Sequence, residues 1–329
     1  MWDFSVATTI ALVLRTWPFV LLRLVVHVGI AFGFIAGTGA GAGIGWAIGL
    51  AFGEDGEITG ALIGALAGFG LVCGVLWWVR QYLIYLVKAG HVAAMDALLR
   101  GGTLPGGQDQ ISYAVAMVKA RFLEVNLLFG LDLLIRGVVR ALVGILNLVT
   151  GWIPGFKTLN DFVSAVLKIA LGLVDEVILA YIIRREGEPP AQAARDGLVL
   201  YAQNAGALIR NAVWIALFEY AATALIFLFL LGPAIGLAYA LPGGLTGFGV
   251  VFAAILAWAL KAALIEPLSI AALLQAYDIA IRGQTPDPDW TARLDGASSA
   301  FRDLAARFPS GRRAPWGPGP AGTDPAAPA

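Results

Sequence analysis

Apolar segments long enough to cross a bilayer recur along this chain, and they constrain its fold more than any other feature. A spanning helix needs about 20 mostly apolar residues. The first segment lies within residues 17–53, where a span at 17–37 and a span in the later half both fit the sequence. Five further spans are predicted at residues 58–79, 122–149, 162–183, 212–231 and 248–268. The sequence therefore predicts an all-α, polytopic integral membrane bundle with six transmembrane helices.

The composition agrees with a membrane protein. Apolar residues make up 59% of the chain and charged residues 13%, whereas soluble domains are about half apolar and a quarter charged. The net charge is zero, so no electrostatic attraction to nucleic acid is expected. The single cysteine, Cys73, can form no internal disulfide, and two histidines are too few for a His-rich metal site.

A short tag follows three of the apolar segments and divides the chain into repeats. Residues 96–101 read Asp-Ala-Leu-Leu-Arg-Gly, residues 278–283 read Asp-Ile-Ala-Ile-Arg-Gly, and residues 181–187 carry a looser version. A long period of this kind indicates a repeat architecture. We therefore predict three membrane units, each a surface helix followed by a helical hairpin, and a C-terminal segment. The predicted bounds are 1–101, 102–187 and 188–283 for the units, then 284–329 with an amphipathic helix over 290–308 and a disordered tail rich in Pro, Ala and Gly.

Basic residues concentrate on one side of the predicted spans. Most of the 22 Lys and Arg residues flank the tags and surface helices, whereas the three opposite turns, 38–57, 150–161 and 233–247, contain only Lys157. Cytoplasmic loops of membrane proteins carry the excess of Lys and Arg. Both termini and all three tags are therefore predicted in the cytoplasm. The protein is expected in the cell membrane, which is the inner membrane in a bacterium.

Two segments ahead of predicted spans mix apolar residues at helical spacing with basic residues. They are 112–123, with Lys119 and Arg121, and 192–208, with Arg195. Such helices lie along the headgroups, with their basic side chains near anionic lipids. The lipid bilayer, and anionic lipids at these helices, are thus the expected partners. The alternative of a cap packed on the bundle stays open.

Glycines recur every fourth residue on both sides of the acidic turn 54–57. The rows are Gly41, Gly45, Gly49 and Gly53 before the turn, and Gly60, Gly64 and Gly68 after it. Residues four apart share a helix face, and glycine there lets a second backbone come close. The pattern predicts a glycine zipper, in which the two helices form a tightly packed hairpin. A homo-oligomer interface and a pore lining stay open as alternatives.

Several ionisable side chains fall at predicted membrane depth, where each is costly unless it faces protein, water or a partner. Glu219 lies between Trp214 and Tyr220 in a span that has no basic residue nearby. An acid among aromatic rings suits a cation, because ring faces attract ammonium groups. We predict Glu219, Trp214 and Tyr220 as substrate-binding residues, with Asp132 and Glu266 as further acids. A buried, paired structural acid is the alternative reading of each carboxylate.

Motifs of the common enzyme classes are absent from the sequence. It contains no His-Glu-x-x-His pair, no Walker loop and no Gly-x-Ser-x-Gly elbow. We therefore expect a protein that is not an enzyme and that uses no cofactor or metal, and a carboxylate-based intramembrane hydrolase stays open as the alternative.

Part of the chain resembles choline transporter-like proteins. Residues 193–200 read Ala-Ala-Arg-Asp-Gly-Leu-Val-Leu, Asn204 follows, residues 208–213 read Leu-Ile-Arg-Asn-Ala-Val, and a later span ends in Gln-Ala-Tyr-Asp at 275–278. The order of these features resembles the C-terminal part of that family, over about residues 180–308. The resemblance implies transport of choline-like amines, and it assigns no residue to their binding.

Two functions are compatible with these patterns. The first is a transporter or channel for a small solute such as a quaternary amine, with an intramembrane carboxylate in its site. The second is a non-catalytic membrane scaffold that organises protein partners or lipids through basic helices. Water access separates the two, because a transporter needs a polar cavity that reaches the acid, whereas a scaffold can have a dry and fully paired core.

Overall fold

The computed structural model describes residues 2–79, 84–104, 109–122, 172–185, 187–239 and 246–307. Every regular element in these ranges is helical, and no strand occurs in them, which confirms the all-α prediction. We number the α-helices of the described residues in chain order. They are α1 (Val6–Arg15), α2 (Trp17–Gly49), α3 (Glu54–Val79), α4 (Tyr85–Gly101), α5 (Gln110–Phe122), α6 (Val174–Arg184), α7 (Pro190–Gln203), α8 (Ala205–Tyr239), α9 (Thr246–Leu260), α10 (Glu266–Ile281), α11 (Pro288–Ala297) and α12 (Ser299–Arg307).

Four segments of the described residues are long and apolar enough to cross a membrane, and they coincide with four of the six predicted spans. They are Trp17–Phe52, Asp55–Leu76, Ala205–Gly236 and Val250–Ile281. Helix α2 covers the first segment without a break up to Gly49, so residues 17–37 and most of the later half lie on one helix. The predicted span 122–149 lies outside the described residues except for its first residue. Only the end of 162–183 is described, as α6, which is covered by protein.

Helices α2 and α3 form a hairpin, hairpin 1, whose backbones touch along their glycines. A short 3-10 turn and Gly53, which has a φ of +84°, reverse the chain between the two helices. Gly41 faces Gly64 so closely that a Cβ on either residue would overlap the carbonyl oxygen of the other, and the next glycines along each row pair in the same way. The helices can approach this far because glycine places no side chain between them.

Helices α8 and α9 form hairpin 2, and the chain leaves α9 through an irregular turn. A π-helical segment, Lys261–Ile265, joins α9 directly to α10. The Glu266 N–H bonds to the Lys261 carbonyl oxygen, five residues earlier. Pro267 in the first turn of α10 has no N–H to donate, which interrupts the regular hydrogen-bond pattern at this point. Short π-helical turns of this kind are frequent at functional sites.

The remaining helices, α1, α4–α7 and α10–α12, pack together as a body that we call the base. Its core contains buried aliphatic side chains and buried tyrosines, among them Tyr181, Tyr201 and Tyr277. The Tyr277 ring packs against the other two rings, and its hydroxyl donates to the Gly197 carbonyl oxygen at 3.0 Å. The base is therefore held by the burial of its own apolar surface, whereas much of the apolar surface of the hairpins remains open.

Helix α7 is buried inside the base, where protein covers most of its residues. It ends at Gln203 and α8 begins at Ala205, so the predicted surface helix 192–208 crosses a helix boundary. Its residues Ala193 and Leu198 are fully covered by protein. The prediction of an interfacial helix is therefore wrong for α7, where the alternative of a packed cap holds. Contacts with neighbouring helices bury α7, and the residue pattern of α7 alone cannot reveal those contacts.

The other predicted amphipathic segments keep their helical character with altered limits. Residues 112–122 of the predicted segment lie in α5, which packs one side on α4 and exposes Val115 on the other, and residue 123 lies outside the described residues. The segment predicted as one helix over 290–308 is two helices, because Ser298 takes an extended conformation between α11 and α12. The Ser298 hydroxyl accepts a hydrogen bond from the Phe301 N–H and so caps α12.

Candidate functional site

Charged side chains collect where the two hairpins meet the base. The apolar stretches 24–53 and 220–260, which make up most of the hairpins, contain no Asp, Glu, Lys or Arg. The charges that border these stretches pair with one another and with side chains of α4 and α6. We call the group the ion layer, and its members are Arg23, Lys88, Glu176, Glu219, Lys261 and Glu266. Three basic and three acidic side chains face each other, so their formal charges cancel.

Glu219, the acid predicted to bind a cationic solute, is paired within the protein. Its carboxylate lies 2.5 Å from the Lys261 ammonium and accepts a hydrogen bond from the Ser269 hydroxyl at 2.9 Å. The Glu219 side chain is 3% exposed, whereas that of Lys261 is 24% exposed. Both partners come from the π-helical turn and α10, which the sequence places more than 40 residues away. The pairing could not be seen in the surroundings of Glu219 along the chain.

The aromatic residues predicted to surround Glu219 lie on the outside of α8. Trp214 is 45% exposed and Tyr220 39% exposed, while Glu219 points into the protein. Trp214 meets the Trp2 ring edge-on, with 5.7 Å between the ring centroids. The structure therefore does not bring the two rings together around the carboxylate. The cation-binding role of these residues stays a prediction.

Glu266 belongs to the other half of the ion layer. Its carboxylate lies 3.2 Å from the Lys88 ammonium and 3.9 Å from the Arg23 guanidinium. Lys88 also forms an ion pair with Glu176 on α6, so one lysine of α4 joins two acids from different helices. Asp132, the remaining predicted site residue, lies outside the described residues. The predicted acids Glu219 and Glu266 are thus both paired with basic side chains of the ion layer.

Arg23 holds the ion layer to α2. Its Nη1 donates to the Ala262 carbonyl oxygen at 3.5 Å, in the π-helical turn, and its side chain is 3% exposed. Within the described part of the chain, the Arg23 Nε and Nη2 atoms have no hydrogen-bond partner. Buried donors are normally satisfied by protein or water. The Nε and Nη2 donors of Arg23 are therefore open to further hydrogen bonds beside Glu266.

His91 of α4 connects the region to the start of α2. Its Nε2 lies 2.9 Å from the Thr16 hydroxyl, and its ring stacks on Phe19 with 5.2 Å between centroids. Burial lowers the pKa of His91 well below its usual range, and the nearby charge of Arg23 lowers the pKa further. The imidazole is therefore neutral at physiological pH, because a charged ring would lose its hydration here.

A second ionic cluster forms inside the base from all three sequence tags. The Arg184 guanidinium lies 2.7 Å from Asp96 and 3.0 Å from Asp278, and Arg100 also pairs with Asp96 at 2.8 Å. Asp96 is fully buried. The sequence revealed the three tags but could not show that they meet in the fold. The opposite charges of Asp96 and Arg184 were the one hint in the sequence that the tags could pair. The division of the chain into three repeat units stays a prediction.

Each charged side chain of the ion layer and of the tag cluster has an oppositely charged partner among the described residues. The pairing in the ion layer neutralises the charges where the hairpins meet the base, and an unpaired charge there would be costly. Among the described residues, no group of three or more His, Cys, Asp or Glu side chains is arranged to hold a metal ion.

A crevice of about 750 Å³ runs along hairpin 1, and glycine and aliphatic side chains line most of it.

No family model matches this chain, and neither does any curated protein or solved structure. The resemblance to choline transporter-like proteins therefore stays a prediction.

Proposed function

We propose that the protein is a non-catalytic membrane scaffold, in which two apolar hairpins anchor a closed helical base to the bilayer. The pairing of Glu219 with Lys261 and Ser269 gives this proposal its main support. A solute cation at Glu219 would have to displace a covalently tethered ammonium group. The carboxylate is buried, so loss of the lysine would leave a buried charge unpaired, which favours a permanent contact.

The alternative of a transporter or channel for a quaternary amine has less support from the geometry. An aromatic cage must place its ring faces around the bound ammonium group. Trp214 and Tyr220 lie on the outer surface of α8, away from the carboxylate of Glu219. The resemblance to choline transporter-like proteins would favour this alternative, but it assigns no residue of this chain to the binding of a cation.

Our proposal places the base and both termini on the cytoplasmic side of the cell membrane. The base exposes Arg100, Arg185 and Arg282, whereas the first turn of α3 in hairpin 1 carries Asp55 and Glu57 and no basic residue. This distribution follows the positive-inside rule. In a Cys73→Ala background, a membrane-impermeant maleimide added to intact cells should label Asp55→Cys and leave Ala292→Cys unlabelled. The reverse pattern would contradict the orientation.

Uptake of labelled choline into proteoliposomes tests the scaffold against the transporter. We expect wild-type protein to give the same uptake as empty liposomes. The same preparations should show that Glu219→Gln unfolds more readily than wild type, because the variant loses its ion pair, whereas Asp55→Asn at the exposed turn unfolds like wild type. Saturable uptake by wild type that is lost in folded Glu219→Gln but kept in Asp55→Asn would overturn the scaffold proposal.

A further inference from the structure

Helix α1 is apolar on both of its sides. A Ser5 cap begins the helix, and its inner side buries Leu12 and Val13 against the base. Its outer side carries a row with four-residue spacing, Val6, Ile10 and Leu14, which are 48%, 47% and 67% exposed. A helix lying in water on a soluble protein would present polar residues on that side. The outer side therefore needs an apolar or interfacial environment.

The exposed row continues onto a helix that crosses the membrane. Only Thr16 separates α1 from α2, and beyond it a second row with four-residue spacing, Trp17, Leu21 and Val25, is likewise exposed. Helix α2 lies within a candidate span. The outer side of α1 is thus the lower end of a surface whose upper end faces lipid, which identifies the bilayer as its neighbour.

Both ends of α1 lie at a similar distance from the ion layer. At its start, Asp3 accepts hydrogen bonds from Arg210 and Asn211 on α8, eight residues or more before Glu219. At its end, Thr16 lies seven residues before Arg23 on α2. With 1.5 Å of rise per residue, these positions are about 10 to 13 Å below the ion layer. Helix α1 therefore runs along the membrane plane and not across it.

Aromatic rings mark the beginning of the same surface. Trp2 stacks on Phe4 and meets Trp214 of α8 edge-on, and both tryptophans are partly exposed. Tryptophan is enriched at the boundary between the headgroups and the hydrocarbon. The pair Trp2–Trp214 lies at one end of α1, and the exposed Trp17 follows its other end.

We propose that α1 lies in the bilayer interface, with Val6, Ile10 and Leu14 inserted among lipids at the boundary of headgroups and acyl chains. Helices that bind this way bury their apolar side about 5–10 Å into that boundary. The base is then partly immersed in the bilayer surface through its N-terminal helix. The inference applies to a scaffold and to a transporter alike, so its failure would leave the proposed function untouched.

Spin labels test the position of α1 directly. We would place single labels at Ile10→Cys and Leu14→Cys in a Cys73→Ala background, with Ala292→Cys on the exposed side of α11 as the matched control. Each protein is reconstituted into liposomes of phosphatidylethanolamine and phosphatidylglycerol. Power-saturation EPR then compares collisions with oxygen, which dissolves in lipid, and with a nickel chelate, which stays in water. Val6→Cys replaces any label that prevents folding.

We expect at least threefold greater oxygen than nickel accessibility at Ile10→Cys and Leu14→Cys, relative to the same ratio at Ala292→Cys. Equal ratios at all three positions would place α1 in water and overturn the inference. Low accessibility to both reagents at the α1 positions would also overturn it, because that result means that protein, such as a second copy of this chain, covers the row.

Discussion

Arg184 and Asp96 form an ion pair of 2.7 Å that joins two of the three sequence tags. The same guanidinium reaches Asp278 of the third tag at 3.0 Å. Three segments that are distant in sequence therefore meet at one arginine inside the base. Since Asp96 is fully buried, it depends on Arg184 and Arg100 for its charge compensation.

Replacing Arg184 should destabilise the protein strongly. Arg184→Gln leaves the buried Asp96 with one basic partner and Asp278 with a distant one, which should lower the free energy of unfolding by about 3 kcal/mol. Arg282→Gln is the matched control, since its pair with Asp278 is 3.6 Å long and the Arg282 side chain is 75% exposed. A loss below about 1 kcal/mol is expected there. Unfolding in mixed micelles, followed by tryptophan fluorescence, measures both; equal losses would contradict the assigned role of Arg184.

Glu219 and Lys261 should show energetic coupling. Glu219→Gln and Lys261→Met each leave the other charge without its partner, whereas the double variant removes both charges. The loss in the double variant should therefore be smaller than the sum of the single losses by more than about 1 kcal/mol. A double-mutant cycle on the free energy of unfolding measures this coupling. Additive losses would mean that the 2.5 Å contact contributes nothing to the folded state.

Two neighbouring glycines of α2 should respond to alanine with opposite signs. A Cβ at Gly45 would overlap the Gly60 carbonyl oxygen, whereas a Cβ at Gly43 would meet no atom within 4 Å. Gly45→Ala forces the helices of hairpin 1 apart and should cost about 2 kcal/mol. Gly43→Ala should stabilise the helix by up to about 1 kcal/mol, since alanine is the better helix former. Thermal unfolding in detergent compares them, and matching shifts in melting temperature would argue against the paired glycine rows.

Acid should destabilise the protein through His91. Burial lowers the pKa of this imidazole in the folded protein, whereas in the unfolded chain it binds a proton below about pH 6.5. Only the unfolded state takes up that proton as the pH falls from about 6.5 toward the folded pKa, so stability is complete above this window and declines within it.

His91→Asn should flatten that decline, although it also removes the stacking on Phe19 and lowers stability at every pH. Melting temperatures of wild type and variant at pH 7.5, 6.5 and 5.5 provide the comparison. If both proteins lose stability equally over that range, other groups cause the acid sensitivity and His91 does not.

Local patterns in the sequence determined the class of this protein. Long apolar runs with few charges predicted the four candidate spans that the described residues contain, because crossing a bilayer requires length and hydrophobicity along one segment. The four-residue spacing of Gly41 and Gly45 likewise placed glycines on one helix face, and the acidic turn after them made a hairpin the simplest arrangement. These properties depend on residues close together in the chain.

Only the tertiary structure decided what each charged or small side chain contacts. Glu219 looked isolated because its partner Lys261 lies 42 residues later in the chain, just beyond the end of α9. Helix α7 looked amphipathic, yet α6, α11 and α12 cover it, and Ser298 divides what read as one C-terminal helix. Ion pairing and side-chain burial arise from contacts between segments that are distant in the chain. The residue pattern within one helix predicts that helix, but it does not specify which helix will pack against it.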